Sequence, residues 1–165
     1  MGVKSHMDIT FKTPEGVFNY RVCAIIISNE RLLVMKDERC PYYYLPGGRV
    51  TLHETAEKAV LREIKEELEI DAKIIRPLWL NQSFFTEDVH HEKYHELCLY
   101  FLIDVSDTDL LSRENNFVLT ENKTHQHIFS WIPFCELNKN HFYPKFIKKR
   151  IFNLPTNLEI NAELE

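Results

Sequence analysis

The sequence predicts a single α/β domain in which a mixed β-sheet packs with helices as a sandwich. Strand-like apolar runs lie on both sides of one long amphipathic helix, Thr55–Glu69. No apolar run approaches the length that spans a membrane, and the longest, Val22–Ile27, is strand-sized. Residues 1–153 are therefore expected to form one domain, and the polar residues 154–165 are expected to form a loose tail.

Each predicted element has its own local pattern. Two strands flank the turn Pro14-Glu15-Gly16, and a third returns across Ser28-Asn29-Glu30 as a hairpin. A short strand leads into Pro46-Gly47-Gly48, and the long helix follows it. The last predicted helix carries Pro144 at an early position, where proline is tolerated. The predicted strands are Met7–Lys12, Val17–Ile27, Arg31–Lys36, Tyr42–Leu45, Lys73–Phe84, Tyr94–Val105 and Gln126–Ile132, and the predicted short helices are Phe134–Leu137 and Tyr143–Ile151.

The charge of the chain narrows the partners that it is expected to bind. A formal net charge of -5 argues against a nucleic-acid polymer or a membrane surface, because both attract basic proteins. An acidic protein can still bind a polyphosphate if cations neutralise that ligand. The four cysteines form no CxxC pair, and no apolar N-terminal segment is typical of a secretory signal. Free thiols in a reducing cytoplasm are therefore expected.

A helical wheel of Thr55–Glu69, drawn at about 100° per residue, separates three of its glutamates from its two lysines. Glu63, Glu66 and Glu67 form one flank, with Glu67 nearest the apolar face. The like charges of Glu63 and Glu67 lie one turn apart, which costs roughly 0.2–0.5 kcal/mol in an isolated helix. Clustered carboxylates suit hard cations such as Mg²⁺ or Mn²⁺, whereas a solvated charged face is the alternative interpretation.

Two adjacent glycines precede this helix. The chain has four glycines, and Gly47 and Gly48 are two of them. Such a pair predicts a backbone that closely approaches another group or needs a positive φ. Because the pair leads through a short loop into the glutamate helix, the carbonyl of Gly47 is a candidate oxygen ligand for a cation there.

Residues 48–70 resemble the Nudix box, GX5EX7REUXEEXGU, in which U is aliphatic. Glu69 stands at the late glycine of the box, which affects the helix exit rather than a ligand, and His53 stands where a loop glycine is common. The strand pattern around the box is compatible with a whole Nudix domain, so the resemblance implies a Nudix-type α/β/α sandwich. The matching positions are Gly48, Glu54, Arg62, Glu63, Ile64, Glu66, Glu67 and Ile70.

The resemblance also implies a reaction, in which water attacks phosphorus in a nucleoside diphosphate linked to another moiety. Divalent metal, Mg²⁺ or Mn²⁺, would neutralise the diphosphate, polarise the phosphorus and lower the pKa of the water. Other residues orient the metal ligands by hydrogen-bonding to them without contacting the metal. Carried over by position, the metal ligands are Glu63, Glu66, Glu67 and the carbonyl of Gly47, and the orienting residues are Gly48, Glu54 and Arg62.

The general base in this family comes from the box or from a later loop. Glu66 and Glu67 are the candidates within the box, and Glu96 and Glu121 are the candidates outside it. For each of the outside candidates, an ordinary surface carboxylate is the alternative interpretation.

Four further residues are candidate substrate contacts: Arg49, Tyr44, Phe84 and His95. An arginine can bind phosphate, and an aromatic face can stack on a nucleobase. Solvated surface and core packing are the alternatives. His95 belongs to a histidine-rich segment, 90–96, but the zinc-protease pattern HExxH is absent there, so a loop is the simpler interpretation.

No sequence marker selects the substrate. The proline typical of ADP-ribose pyrophosphatases, the tyrosine typical of diadenosine polyphosphate hydrolases and the upstream motif of the coenzyme A type are all missing. We expect a small nucleotide, either a nucleoside triphosphate or a nucleoside diphosphate derivative. The alternative from another class is a non-catalytic Nudix module that binds a nucleotide as a sensor or scaffold. Many relatives form homodimers, and no residue here decides that point.

Overall fold

Two β-sheets and one long helix form the fold in the computed structural model, which describes residues 6–164. The strands are β1 (Thr10–Thr13), β2 (Gly16–Ile25), β3 (Ile27–Ser28), β4 (Arg31–Asp37), β5 (Gly47–Arg49), β6 (Lys73–Thr86), β7 (Lys93–Asp104), β8 (Asn116–Glu121), β9 (His125–Pro133) and β10 (Glu159–Leu164). The α-helices are α1 (Ala56–Leu68) and α2 (Ile147–Arg150), and 3-10 helices cover Leu110–Ser112 and Phe134–Lys139.

The larger sheet is mixed, with strand order β1-β2-β7-β6-β10 and with β5 paired beside β2. Strand β2 runs parallel to β7, and β10 runs parallel to β6, whereas the other neighbours are antiparallel. The smaller sheet, β3-β4-β9-β8, is antiparallel throughout. Helix α1 packs against strands of both sheets, including β2, β5 and β8. The predicted α/β sandwich with a mixed sheet is confirmed.

Helix α1 follows the predicted segment closely. Thr55 caps its first turn, because the side-chain hydroxyl oxygen accepts a hydrogen bond from the Lys58 N–H at 3.3 Å. Val60, Ile64 and Leu68 are fully buried, and burial of each such side chain contributes about 1.5–3 kcal/mol. No helix within residues 6–164 is both long and apolar enough to cross a membrane.

The apolar core lies on both faces of the larger sheet, because β2 is buried on both sides. Val22 and Ala24 pack in the cluster beneath α1, together with residues of β7 and β9. Cys23 and Ile25 face the opposite way and pack with Trp79 and the C-terminal segment. A strand covered on both faces needs a continuous apolar run rather than a strict alternation. The sequence from Val22 onward has such a run, and it places β2 at the centre of the domain.

The segment before the glycine pair differs from the prediction. Tyr42–Leu45 forms isolated bridges rather than a strand, and the glycines themselves form β5. Tyr43 exchanges backbone hydrogen bonds with the 141–143 segment at 2.8 and 2.9 Å, which holds that segment extended. The predicted helix Tyr143–Ile151 is therefore reduced to Ile147–Arg150, and the predicted helix at Phe134 is a 3-10 helix.

The prediction of a loose tail at 154–165 is wrong for Glu159–Leu164, which forms β10 beside β6. Buried Asn81 fixes this strand: its Oδ1 accepts from the Asn161 amide at 2.7 Å, and its Nδ2 donates to Glu163 at 3.1 Å. The prediction of a tail rested on the polar composition of this segment. Composition alone does not reveal hydrogen-bond partners that are distant in sequence. Strand β8 was also absent from the prediction.

Replacement of Asn161 by alanine tests the attachment of β10. The substitution leaves the buried Oδ1 of Asn81 without its donor, which costs about 1–3 kcal/mol. We expect a loss of unfolding free energy in that range by urea denaturation. Exposed Asn157, replaced by alanine, is the matched control and should change little. Equal stability of the two variants would contradict this account of the strand.

Candidate active site

Strand β5 brings the glycine pair against both β2 and helix α1. Gly47 lies opposite Cys23, and Gly48 lies opposite Val22. A methyl group on Gly47 would come closer than 3.0 Å to backbone atoms of β2, and one on Gly48 would meet the carboxylate of Glu63 at a similar distance. The predicted close approach of this backbone to other groups is confirmed.

Glu67 is a carboxylate buried in the fold, with only 7% of its surface exposed. Its Oε2 accepts a hydrogen bond from the Gly47 N–H at 3.2 Å. Burial, and then the negative charge of Glu63, raise the pKa of Glu67 well above its usual value, against the opposing effect of that N–H. Burial also raises the pKa of Glu63, although the Arg62 guanidinium opposes this shift. Glu63 thus has a cationic partner within the chain, whereas the hydrogen-bond donor to Glu67 is a backbone N–H.

The Arg62 guanidinium ties the loop, β5 and α1 together. It donates to both carboxylate oxygens of Glu54 at 2.8 and 2.9 Å, to the Arg49 carbonyl at 3.0 Å, and to Glu63 Oε1 at 2.7 Å. Hydrogen bonds from Arg62 and from Thr51 hold the pKa of Glu54 at about 2, below its ordinary 4.5. The stabilisation by Glu54 is therefore complete above about pH 4.5 and is lost as the pH falls through about 2.

Glu66 points outward, with 46% of its side chain exposed, and Arg62 Nη1 lies 3.4 Å from it. Within residues 6–164, no three His, Cys, Asp or Glu side chains already converge as a metal site. The donor set nevertheless fits a hard cation, because three carboxylates on one flank of α1 supply oxygen ligands and buried Glu67 has a like charge beside it. Arg62 is the cation that Glu63 and Glu66 share in this arrangement.

Glu121 approaches this group from the smaller sheet. It is the last residue of β8, and its charge contributes to the raised pKa of Glu67 after burial and after Glu63. Its Oε2 lies 2.9 Å from His127 Nε2. The proximity depends on β8, which the sequence did not predict.

Glu96 lies on β7 and faces a different set of partners. Asn19 Nδ2 donates to its Oε2 at 3.5 Å, and Arg21 Nε lies 4.0 Å from the same oxygen. Burial raises the pKa of Glu96, against the lowering effects of Arg21 and Asn19. Arg21 also lowers the pKa values of Glu63 and Glu67, so its charge reaches both the helix and β7.

The candidate substrate contacts divide into two groups. Arg49 and Tyr44 flank the glycine pair in the chain: Arg49 Nε donates to Asn19 Oδ1 at 3.2 Å, and the Tyr44 hydroxyl donates to Asp37 at 3.4 Å. Burial and then Asp37 raise the pKa of Tyr44, and Glu67 adds to the shift.

Phe84 and His95 form the other group. Their ring centroids are 4.4 Å apart, and His95 also contacts Phe18 at 5.7 Å. Because consecutive side chains of a strand point to opposite faces, His95 lies on the other face of β7 from Glu96.

Arg21 and Asn19 are polar residues of the site that the sequence analysis did not select. Both lie within the predicted strand Val17–Ile27, which is otherwise mainly apolar. A charged residue inside an apolar strand is the signal that marks Arg21, since burial of a charge requires a partner.

Two residues beside α1 have left-handed backbone conformations without being glycine. His53, in the loop before the helix, has φ of 68°, and Glu69, at the helix C-cap, has φ of 59°. Glu69 donates its N–H to the Lys65 carbonyl at 3.1 Å and so ends the helix. These are the two positions at which the sequence departs from the glycines of the box.

A sequence profile of the NUDIX domain matches residues 17–150. The chain belongs to the NUDIX family. The match includes the glycine pair, the Arg62 cluster, α1, the smaller sheet and the central strands of the larger one, whereas β1 and β10 lie outside it.

Individual relatives are more distant. An ADP-ribose pyrophosphatase of Methanocaldococcus jannaschii is 32% identical over 92 residues, which cover 54% of this chain and 52% of that protein. The chain spans about half the length of the curated relatives it matches. Among solved structures, the MutT protein of Bacillus halodurans has a TM-score of 0.59 at 12% identity and covers 88% of this chain and 89% of that chain. A UDP-X diphosphatase has a TM-score of 0.53 at 20% identity, with coverage of 86% and 61%.

Alanine at the two box glycines separates their roles. At Gly48 the nearest atoms to the added methyl belong to the Glu63 carboxylate, a side-chain end that can shift, so the carboxylate should move while the fold persists. At Gly47 it meets backbone, and we expect a loss of about 3 kcal/mol or more. Urea denaturation measures stability, and electron paramagnetic resonance measures Mn²⁺ affinity. The Gly48→Ala variant should fold normally and bind Mn²⁺ more weakly; normal Mn²⁺ affinity would contradict the role of Gly48.

Glu67→Gln tests the cost of the buried carboxylate. Because the folded state raises the pKa of Glu67, its contribution to stability is full below the ordinary 4.5 and is lost as the pH rises through the folded value. Glutamine cannot ionise but can still accept from Gly47. Without added metal, the variant should be more stable than the wild type at pH 8, with the difference vanishing near pH 4 in urea denaturation. Exposed Glu69, replaced by glutamine, is the control; a difference independent of pH would contradict the expectation.

Proposed function

We propose that this chain hydrolyses a nucleoside diphosphate linked to another moiety, by attack of water on phosphorus and with a divalent cation bound at the Nudix box. The products would be a nucleotide and a phosphorylated remainder, or pyrophosphate from a triphosphate. The chemistry that Mg²⁺ or Mn²⁺ supplies when bound is neutralisation of the diphosphate, polarisation of the phosphorus and activation of the water.

One observation carries this proposal. Glu67 is buried next to Glu63, and burial and then the charge of Glu63 raise its pKa, against a single N–H donor from Gly47. A buried carboxylate with a like charge beside it costs stability, so a purely structural role would favour an apolar side chain at this position. A bound cation is the partner that would offset this cost.

The metal ligands in this proposal are Glu63, Glu66, Glu67 and the Gly47 carbonyl. Glu63 is oriented from two sides, by the Arg62 guanidinium and by the space that Gly48 leaves open. The same guanidinium holds Glu54 and the Arg49 carbonyl, which ties the loop and β5 to the helix. Arg62 and Glu54 would thus act as orienting residues rather than ligands.

The substrate phosphates would meet the arginines beside the box. Arg21 and Arg49 lie opposite each other on β2 and β5, so both can approach the same anion. A guanidinium is suited to phosphate because its N–H donors match a pair of phosphate oxygens. In a chain with net charge -5, this local positive charge supports binding of a polyphosphate together with the cation.

A carboxylate must accept the proton of the attacking water. Glu66 and Glu67 serve as metal ligands in this proposal, and Glu96 is engaged by Asn19 and Arg21. Glu121 is the outside candidate whose charge reaches Glu67, which supports it as the general base.

Tyr44, Phe84 and His95 are the candidate contacts for the nucleoside part of the substrate. Tyr44 lies close enough to Glu67 for that charge to affect its pKa, which supports Tyr44 as a wall of the nucleoside site. Phe84 and His95 form a tilted ring pair on the face of the sheet opposite Glu96, so they would contact a substrate only if it crosses the sheet edge. The name of the Methanocaldococcus jannaschii relative, an ADP-ribose pyrophosphatase, supports ADP-ribose as one substrate to test.

A substrate panel with a metal requirement tests the proposal. The panel contains oxidised and normal nucleoside triphosphates, ADP-ribose, nucleotide sugars and dinucleoside polyphosphates, each with Mg²⁺, Mn²⁺ or chelator. Products are separated by chromatography. On an active substrate, Glu67→Gln should lose more than the roughly 10–100-fold that removal of an outer-shell partner costs, whereas Glu69→Gln should stay near the wild type.

Wild-type rates in Glu67→Gln would show that the assignment of this residue is wrong. If the wild type binds a nucleotide but converts nothing in the whole panel, the non-catalytic binding module is the better description. That alternative predicts the loss of a box carboxylate, and every box carboxylate is present in this sequence.

A further inference from the structure

A buried histidine contacts the carboxylate proposed as the base. In the register of β8 and β9, His127 lies opposite Leu119, which places its side chain on the same face as Glu121, two residues further along. His127 Nε2 lies 2.9 Å from Glu121 Oε2. Only 8% of the His127 side chain is exposed, compared with 28% of the Glu121 side chain. The imidazole is therefore enclosed, and the carboxylate is partly open.

The second ring nitrogen of His127 is not satisfied. Nδ1 is buried and has no hydrogen-bond partner among the residues that the structure describes. The ring packs beside Phe129, with centroids 6.4 Å apart, where an apolar side chain would fill the same space. A buried polar atom without a partner costs stability, so core packing does not explain an imidazole at this position.

The contact with Glu121 explains it better. With its proton on Nε2, a neutral imidazole donates to Oε2 of the carboxylate and leaves Nδ1 as the unpaired acceptor. Within the described chain, no side chain or backbone N–H donates to Glu121 Oε1. One carboxylate oxygen is thus anchored, and the other is available to a water molecule.

We propose that His127 is a positioning residue that fixes the Glu121 carboxylate for proton transfer, an inference that rests on the proposed function. The water oxygen forms its bond to phosphorus while its proton passes to Glu121 Oε1, and the bond from phosphorus to the leaving phosphate oxygen breaks. His127 keeps its proton on Nε2 throughout. Its role is to select the rotamer of Glu121 that faces the box.

Variants of His127 test this role against a structural one. Leucine removes the donor but fills the space, so kcat should fall roughly 10–100-fold, the range for loss of an orienting partner, with KM changed less than about twofold. Glutamine can present an amide N–H to the same carboxylate and should recover most of kcat. Folding stability of His127→Leu should equal or exceed that of the wild type, because the unpaired Nδ1 is gone.

Two controls connect the effect to Glu121. His125 is exposed on the same strand, opposite Glu121 in the ladder, and His125→Leu should keep kcat within about twofold of the wild type. Glu121→Gln should lose on the order of 10²–10⁴-fold in kcat. In that background, His127→Leu should cause little further loss, because the two residues act as a unit.

The possible failures are distinguishable. Wild-type kcat in His127→Leu, or an undiminished effect of that substitution in Glu121→Gln, overturns the positioning role. Wild-type kcat in Glu121→Gln overturns the base assignment as well. If the wild type converts no substrate, the proposed function fails, and imidazole ¹H–¹⁵N NMR of the wild type then decides the pairing itself. A neutral Nε2–H tautomer that changes in Glu121→Gln supports the pair, and a tautomer that Glu121→Gln leaves unchanged overturns it.

Discussion

The guanidinium of Arg62 holds together the segments on which the site depends. It binds both oxygens of Glu54 in the loop, the Arg49 carbonyl of β5 and the carboxylate of Glu63 on its own helix. Because its donors form a rigid planar fork, the guanidinium fixes the positions of these partners relative to one another. The contact between Gly48 and Glu63, and hence the placement of the buried carboxylates, follows from that arrangement.

Stability and chemistry make opposite demands on this domain. In the C-terminal attachment, Asn81 has amide and carboxylate partners on β10, and the network is satisfied within the chain. At the box, Glu67 has one N–H partner and two neighbouring negative charges. Functional sites often contain polar groups whose partners are supplied only by a bound molecule. Such groups lower the stability of the unliganded protein.

The elements with strong local patterns were predictable from the sequence. Helix α1 was located to within one residue at each end, because Thr55 caps it and its apolar face repeats with helical periodicity. Strand β10 was not predicted, because a partner distant in sequence stabilises it and its own residues are mostly exposed. Strand β8 pairs locally with β9 across a turn in which Asn122 and Lys123 have positive φ, and its alternation of exposed and half-buried residues was not recognised in the sequence. The proximity of Glu121 to Glu67 could not be inferred either, since it requires β8. Arg21 was detectable in principle as a charge in an apolar strand, but its partner on β7 is distant in sequence.

The left-handed residues beside α1 show that the glycines of the box answer two different needs. His53 and Glu69 carry full side chains at positive φ, so the chain tolerates a Cβ there at a conformational cost of about 1–2 kcal/mol each. At Gly47 and Gly48, neighbouring atoms already occupy the volume that a Cβ would need. At the first pair the constraint is backbone preference, which other contacts can outweigh. At Gly48 it is excluded volume, and at Gly47 excluded volume adds to a positive φ of 156°. Sequence drift in such a motif should therefore begin at its conformational glycines and spare its steric ones.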